Sequence, residues 1–239
     1  MTYRVVSIVL GLSLTLGLLI GCIHTKPKLP EATHVTAPFE RYIASDYDWS
    51  TVRRIVLMPF ANQVAAGYPR VGDEIQSSLA TEIQRVGRFD IVVATQNDPV
   101  VRAQDVFATG RFNELEVLRV AREHQADAVM FVNVTQYHPY SPPRVGLSLL
   151  VVSPTEGFAI ASASGVWDAR EKATSEMALA YFKRTQSFPR SLLGSDRMTE
   201  SPNTFQRFVC HQIAIALQPG AGGGINPFNP SMSQDGMLL

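Results

Sequence analysis

Few residues in this 239-residue chain have the type and spacing that chemistry requires, and Cys22 is foremost among them. The only other cysteine is Cys210, which excludes a disulfide framework and any four-cysteine metal site. A bond between these two is the one disulfide the chain could form. Cys210 adjoins His211, but neighbours at i and i+1 on a helix point to different faces, so no thiolate–imidazole pair is expected. Cys210 reads instead as a small apolar residue in a buried stripe beside Val209. The five histidines show no ligand spacing, and neither a Gly-x-Ser-x-Gly elbow nor a His-Glu-x-x-His helix occurs. The Gly222–Gly224 run follows a helix and precedes none, so it is no phosphate cradle. Glu114 and Glu116 lie two apart on a helix, face different ways and are read as solvated. No catalytic residue, metal ligand or cofactor-binding residue is expected. The remaining segment of note is Tyr137-His138-Pro139-Tyr140-Ser141-Pro142-Pro143-Arg144. Prolines stiffen it, and tyrosine and arginine are enriched where partners bind most tightly. Two readings stand: a contact loop for a partner protein, built on Tyr137, His138, Tyr140 and Arg144, or a rigid connection whose tyrosines pack on the domain edge.

The position of Cys22 gives its thiol a specific chemistry. Arg4 precedes an apolar run from Val5 to Ile20, in which only Ser7, Ser13 and Thr15 are polar. That is the signal-peptide pattern. The run falls a little short of the roughly 20 apolar residues of a comfortable membrane span, and a single-pass helix is the competing reading. Leu19-Ile20-Gly21-Cys22 follows directly and resembles the bacterial lipobox. The resemblance implies a diacylglycerol on the Cys22 thiol, cleavage before it and acylation of the new amino group. Residues 1–21 are then a signal peptide, and Cys210 is left without an intramolecular partner. Each buried methylene contributes about 0.8 kcal/mol, and two chains suffice for stable attachment to a membrane. Lipoproteins retained at the inner membrane often carry Asp after the cysteine; Ile23 stands here, which favours the outer membrane with the domain in the periplasm.

Composition narrows the rest. Lys+Arg and Asp+Glu are 21 each, so the formal net charge is zero. A neutral chain offers no electrostatic footprint for nucleic acid and no polybasic tract for acidic lipid. Hydrophobic residues make up 46% and charged ones 18%, enough apolar material for a core.

Residues 22–50, with Pro27, Pro30 and Pro38, read as the lipidated cysteine and a flexible tether with a reach of roughly 30 Å; Asp46-Tyr-Asp-Trp49 is where it would dock. A globular domain is expected over 51–218 and a disordered tail rich in Gly, Pro, Asn and Ser over 219–239. In the domain, the continuous apolar run Ile55–Met58 reads as a strand buried on both faces, ended by Pro59. Val71, Ile75, Leu79, Ile83 and Val86 form the stripe of a helix, with Asp73 and Glu74 in its first turn and Gly87 as its cap. Phe89–Ala94 is the second strand, residues 95–110 a loop with at most a short helical turn, and Asn113–Gln125 a helix with Leu115, Leu118 and Ala121 inward. Asp127–Thr135 is a central third strand. Alternation over Val145–Val152, a turn cluster at Ser153–Gly157 and small residues over Phe158–Trp167 predict an antiparallel hairpin. Asp168 with Glu171 resembles a helix-start pair, for a helix over 169–185 with Ala173, Met177, Ala180 and Tyr181 inward. Ser201-Pro202 opens the last helix, with Phe205, Phe208, Val209, Ile213 and Ala216 buried. The order β-α-β-α-β-β-β-α implies an α/β fold: a mixed sheet with helices packed on it.

Ile55-Val-Leu-Met-Pro59-Phe60, the helix bearing Ile75 and Leu79, Gly87-Arg-Phe-Asp-Ile-Val-Val93 and Ala126-Asp-Ala-Val-Met-Phe131 resemble a known group. They are similar to bacterial envelope lipoproteins that include the curli-secretion channel family and the lipoprotein activators of penicillin-binding proteins; the N-terminal domain of the Tol-Pal translocation protein is similar in fold. The resemblance spans roughly residues 50–170 and rests on fold motifs, so it supports a broad role only. It implies a non-enzymatic module, anchored to the membrane through lipid on Cys22, that binds or scaffolds an envelope protein partner. A self-assembling ring or secretion-channel component, hence a homo-oligomer, is one alternative; an enzyme with an unrecognised site is another. Arg144–Trp167 is the one hairpin that could span a membrane, but its serines, glycines and alanines give a poor lipid-facing band, and it is expected in the globular sheet.

Overall fold

The computed structural model of the protein describes residues 39–95, 102–185 and 201–218. Cys22, the expected signal peptide over 1–21 and the expected tail over 219–239 lie outside the described residues.

Seven strands form one mixed sheet: β1 (Phe39–Ile43), β2 (Arg54–Leu57), β3 (Ala61–Asn62), β4 (Asp90–Val93), β5 (Ala128–His138), β6 (Arg144–Val152) and β7 (Ala159–Asp168). Their spatial order is β1-β7-β6-β5-β2-β4, with β3 continuing the β2 side of β5. β2 runs parallel to both β4 and β5, whereas β5, β6, β7 and β1 pair antiparallel in turn. Among the described residues, five helices pack on this sheet: α1 (Val71–Val86), α2 (Ala103–Thr109), α3 (Glu114–Glu123), α4 (Lys172–Thr185) and α5 (Pro202–Ala216). The expected α/β fold is therefore observed, with the hairpin β6–β7 inside the globular sheet.

The sheet is covered on both faces, and the apolar runs require it. Residues 128–134 of β5 are all buried, as only a strand with neighbours above and below can be. Ile55, Leu57, Met130, Val132, Leu147, Leu149 and Trp167 join the core under α1, α4 and α5. Val56, Met58, Val129, Phe131, Leu150 and Val152 join a second core with Val106, Val117 and Val120 of α2 and α3. The chain moves one way along the sheet from β2 to β4 and the other way from β4 to β5. Crossings of one hand then place α1 on one face and α2 and α3 on the opposite one. At the start of these strands Asp127 Oδ2 accepts from Arg53 N and Arg54 N at 2.9 Å, and Arg54 Nε donates to Asp90 at 2.9 Å, fixing the register of β2, β4 and β5 together.

Several local expectations hold. Val71, Ile75, Leu79 and Ile83 are buried on α1, and Gly87 ends it at φ 79°, a left-handed conformation that costs glycine little. The helix expected from about Asn113 is α3, and the Asn113 side-chain oxygen caps it. All five stripe residues of α5 are buried, and Cys210 with them. Burial raises the Cys210 thiol far above its ordinary range, so it is an inert apolar filler.

Others are corrected. Residues 39–43, expected in the tether, form edge strand β1 on β7; Trp49 then anchors the following turn, its indole N–H donating to Ala44 O at 3.0 Å. The 95–110 region contains a true helix, α2. On α3 the inward residues are Val117, Val120 and Ala121, and Leu115 is 78% exposed. On α4 they are Thr174, Ala178, Tyr181 and Phe182, while Ala173 and Ala180 face solvent. Burying two adjacent aromatics rotates that helix by one position. Asp168 is no helix cap: β7 extends to it, and α4 begins only at Lys172.

One buried acid ties three helices together. Glu82 of α1 is fully buried and accepts from Tyr181 Oη of α4 at 2.8 Å. Arg85 Nη1 lies 3.0 Å away, and Arg207 of α5 reaches within 3.7 Å. His211 Nδ1 is 3.3 Å from the carboxylate, within ion-pair range although outside hydrogen-bond geometry. Burial alone would raise the acid's pKa, but the His211 ring, the Tyr181 hydroxyl and the Arg85 charge together hold it below the ordinary glutamate value. Burial first, then Glu82, push Tyr181 up to about 12.

Glu82→Gln is expected to lower unfolding stability at pH 7 by about 1–3 kcal/mol, because hydrogen bonds to a buried charged group are weakened. A depressed folded-state pKa stabilises above the unfolded value of 4.5, and that stabilisation is lost as pH falls through the lower folded value. Urea titrations at pH 7 and pH 3 check this: the gap between wild type and Glu82→Gln should shrink in acid. The bulge of β5 at Thr135 gives a second test. A Cβ on Gly146 would stand 2.5 Å from Thr135 Oγ1 and 3.1 Å from Gln136 N. Gly146→Ala is expected to cost about 1–3 kcal/mol of overpacking by the same measurement.

Candidate partner-contact surface

Past its buried half, β5 leaves the core. Thr135, Gln136, Tyr137 and His138 alternate half-buried and exposed, and the ladder shifts register between Val134 and Gln136 opposite Gly146. Such a bulge bends a strand and re-aims its outer end. That end leads into the hairpin tip 138–144, closed by the pair His138–Arg144, with Asp168 of β7 across from Arg144.

The four residues singled out from sequence divide between the two readings. Tyr137 is half-buried, its ring edge-on to Tyr68 at 5.0 Å. Burial, with the nearby Glu74 and Tyr68, raises its hydroxyl pKa; this tyrosine packs the domain edge. His138 and Tyr140 are exposed, Tyr140 by 67%, and their rings meet at 5.5 Å. Between Tyr140 and Arg144 the Ser141–Pro142 bond is cis, while Pro143 O accepts from Ala169 N at 3.0 Å, binding the tip to the end of β7. Arg144 is half-exposed, with Nε 3.7 Å from Asp168.

Asp168 and Arg170 complete the surface. Arg170 Nε donates to both Asp168 oxygens at 3.0 Å, and Arg170 N donates at 2.9 Å. The Arg170 side-chain hydrogen bond chiefly, with the Arg170 and Arg144 charges outweighing slight burial, holds the Asp168 carboxyl below its ordinary value. Two guanidinium groups share one carboxylate at this corner, with Glu171 beside Arg170 and the exposed His138–Tyr140 pair nearby. Sequence reading missed the Asp168–Arg170 pair because Asp168 matched a helix-start pattern; the available signal was the Asp-x-Arg spacing at the end of an apolar strand. β1 begins at the same end of the sheet, Phe39 opposite Gly165 and its ring 5.4 Å from Trp167. Among the described residues no group of three or more His, Cys, Asp and Glu is placed to hold a metal, and no helix is long and apolar enough to cross a membrane.

The arrangement defines a mixed-sheet α/β domain whose β5–β6 tip exposes His138 and Tyr140 beside Arg144 and Arg170. No protein-family model matches the sequence, and no curated protein matches it. Among solved structures, the chain is similar to the PelC dodecamer from Paraburkholderia phytofirmans at 17% identity and a TM-score of 0.41, over 58% of this chain and 86% of that one. It is similar to lipoprotein GNA1162 from Neisseria meningitidis at 14% identity and 0.35, over 56% and 99%. It is also similar to the LpoB C-terminal domain from Escherichia coli at 17% identity and 0.34, over 50% and 86%. These likenesses concern the fold alone.

Asp168→Asn should lower the urea midpoint at pH 7 by removing the charge that both arginines share. Its depressed pKa stabilises above the ordinary aspartate value of 3.8 and ceases to do so as pH falls through the lower folded value. The difference from wild type should therefore fade below about pH 3.8.

Proposed function

We propose that this chain is a lipid-anchored envelope lipoprotein, held at the outer membrane through Cys22, whose periplasmic domain binds another envelope protein without catalysing a reaction. The carrying observation is Leu19-Ile20-Gly21-Cys22 directly after the apolar run from Val5. The hairpin tip supports the binding half of the reading. His138 and Tyr140 stand exposed, and Arg144 and Arg170 are braced on Asp168. Rigid aromatic and guanidinium groups lose little freedom when a partner covers them. Lipid attachment would confine the domain to a surface, so that even a modest intrinsic affinity gives high occupancy.

Intact mass of the membrane-fraction protein tests the anchor. A wild-type mass that begins at Cys22 and carries acyl chains is expected, with Cys22→Ser unlipidated; a wild-type mass retaining Met1 and no lipid would overturn it. Covalent cross-linking in whole cells tests the surface. Tyr140→Ala with Arg144→Ala should abolish a heteromeric cross-linked band at unchanged protein level. An unchanged band would remove the hairpin from the reading.

A further inference from the structure

The buried acid that joins α1, α4 and α5 has more counter-charge than it needs. Arg85 neutralises Glu82: its Nη1 lies 3.0 Å from one carboxylate oxygen and donates to the other at 3.3 Å. Tyr181 Oη donates to the first oxygen at 2.8 Å. Arg207 comes as a second cation. Its Nη2 stops 3.7 Å from the carboxylate, beyond hydrogen-bond reach, and its side chain makes no hydrogen bond among the described residues. Arg85 commits only Nη1, to Glu82 and Tyr181, so its Nε and Nη2 are open as well. Among the described residues, Glu82 is the one acid in ion-pair range of either guanidinium. The cluster therefore holds one positive charge in surplus, and a second when His211 is protonated.

That surplus reaches the surface. Glu82 is fully buried, whereas the Arg85 and Arg207 side chains are 40% and 43% exposed. Arg207 and His211 are four residues apart on α5 and so share a face, with the His211 ring 4.7 Å from that of Tyr181. His211 Nδ1 is buried toward Glu82, which leaves Nε2 as the outer edge. All three groups approach one carboxylate to within 3.7 Å, so their outer atoms open at one place, on the seam of α1 and α5. We infer that this seam is a binding site for a phosphate group. Guanidinium forks match phosphate oxygens in pairs. Two forks on facing helices carry more donors than the Glu82 carboxylate can accept, and a tetrahedral oxyanion has oxygens for both. A phosphate group carries about one to two negative charges at pH 7, which equals the surplus. Glu82 is the positioning residue: it holds the guanidiniums in place without touching the ligand, so they lose less freedom on binding. The phosphate can be free in solution or part of a lipid headgroup. Neither Cys22 nor the hairpin tip takes part, so this site and the proposed anchor stand or fall separately.

The probe is inorganic phosphate, titrated at pH 7 into the ¹⁵N-labelled full chain in mild nonionic detergent while arginine Nε–Hε resonances are followed. Sodium chloride holds the ionic strength constant, because screening alone weakens exposed charge contacts. Saturable shifts of the Arg85 and Arg207 signals are expected, with no saturable response to chloride. Arg207→Gln should weaken phosphate at least tenfold at a retained melting transition, since Arg207 makes no hydrogen bond within the described fold. Arg207→Lys keeps the charge, loses the fork and should weaken phosphate about threefold. Lys172→Gln removes a charge from the exposed start of α4 and should bind as the wild type does. Dihexanoylphosphatidylglycerol separates the sources: tighter binding than inorganic phosphate assigns the site to a lipid headgroup, and weaker binding assigns it to a free phosphate. An equal response to chloride, absence of a saturable shift, undiminished binding in either Arg207 variant, or an equal loss in Lys172→Gln would overturn the proposal.

Discussion

The architecture depends on the burial of β5. Seven successive residues, Ala128 to Val134, are buried with side chains pointing alternately to both faces. Such a strand is stable only where each face is covered and both edges are paired. β2 and β3 satisfy one edge and β6 the other. α1, α4 and α5 cover one face, and α2 and α3 cover part of the other. Every surface feature is then set by where this coverage stops.

Coverage stops in two places, and each leaves polar groups in an unusual position. Along the strand, the end of β5 and the start of β6 flank a tip that carries the exposed His138 and Tyr140 and the braced Arg144. The bulge opposite Gly146 turns that end, and the close approach of Thr135 leaves no room for a side chain there. Across the strand, the short helix α2 meets β3 imperfectly and leaves a small cavity lined in part by Gln104 and Asn133.

The three-helix side is held differently. Its packing is apolar almost throughout, with Tyr181, Phe182, Phe205 and Phe208 fully buried. Beside the buried Thr174 and Gln206 it holds one buried acid, Glu82, whose carboxylate receives groups from α1, α4 and α5. Apolar contacts are non-directional, whereas one buried acid with a hydroxyl donor and two guanidiniums fixes which turn of each helix meets the others. The acid lay within reach of sequence reading, three residues after Leu79 and four before Val86, on the stripe itself. Its partners Tyr181, Arg207 and His211 did not, being about a hundred residues or more away.

The sequence by itself determined the strands with continuous apolar runs, the stripes of α1 and α5, the left-handed cap at Gly87 and the buried role of Cys210. Each is governed by neighbours within a turn or a strand, and local periodicity records such neighbours directly. It also carries the lipobox-like Leu19–Cys22 on which the proposed anchor rests, a pattern read without reference to the fold. Tertiary structure alone decided the rest. β1 looked like tether because a half-buried edge strand has no two-sided apolar run, and β7 supplies its pairing. The inner faces of α3 and α4 turned by a residue or more because the second core and the aromatic pair Tyr181–Phe182 set their rotation. Asp168 became a strand end holding Arg170 because Arg144 pairs across from it. The cavity beneath α2 exists only where that helix lies on β3 and β5, a meeting of segments some 30 to 70 residues apart in the chain.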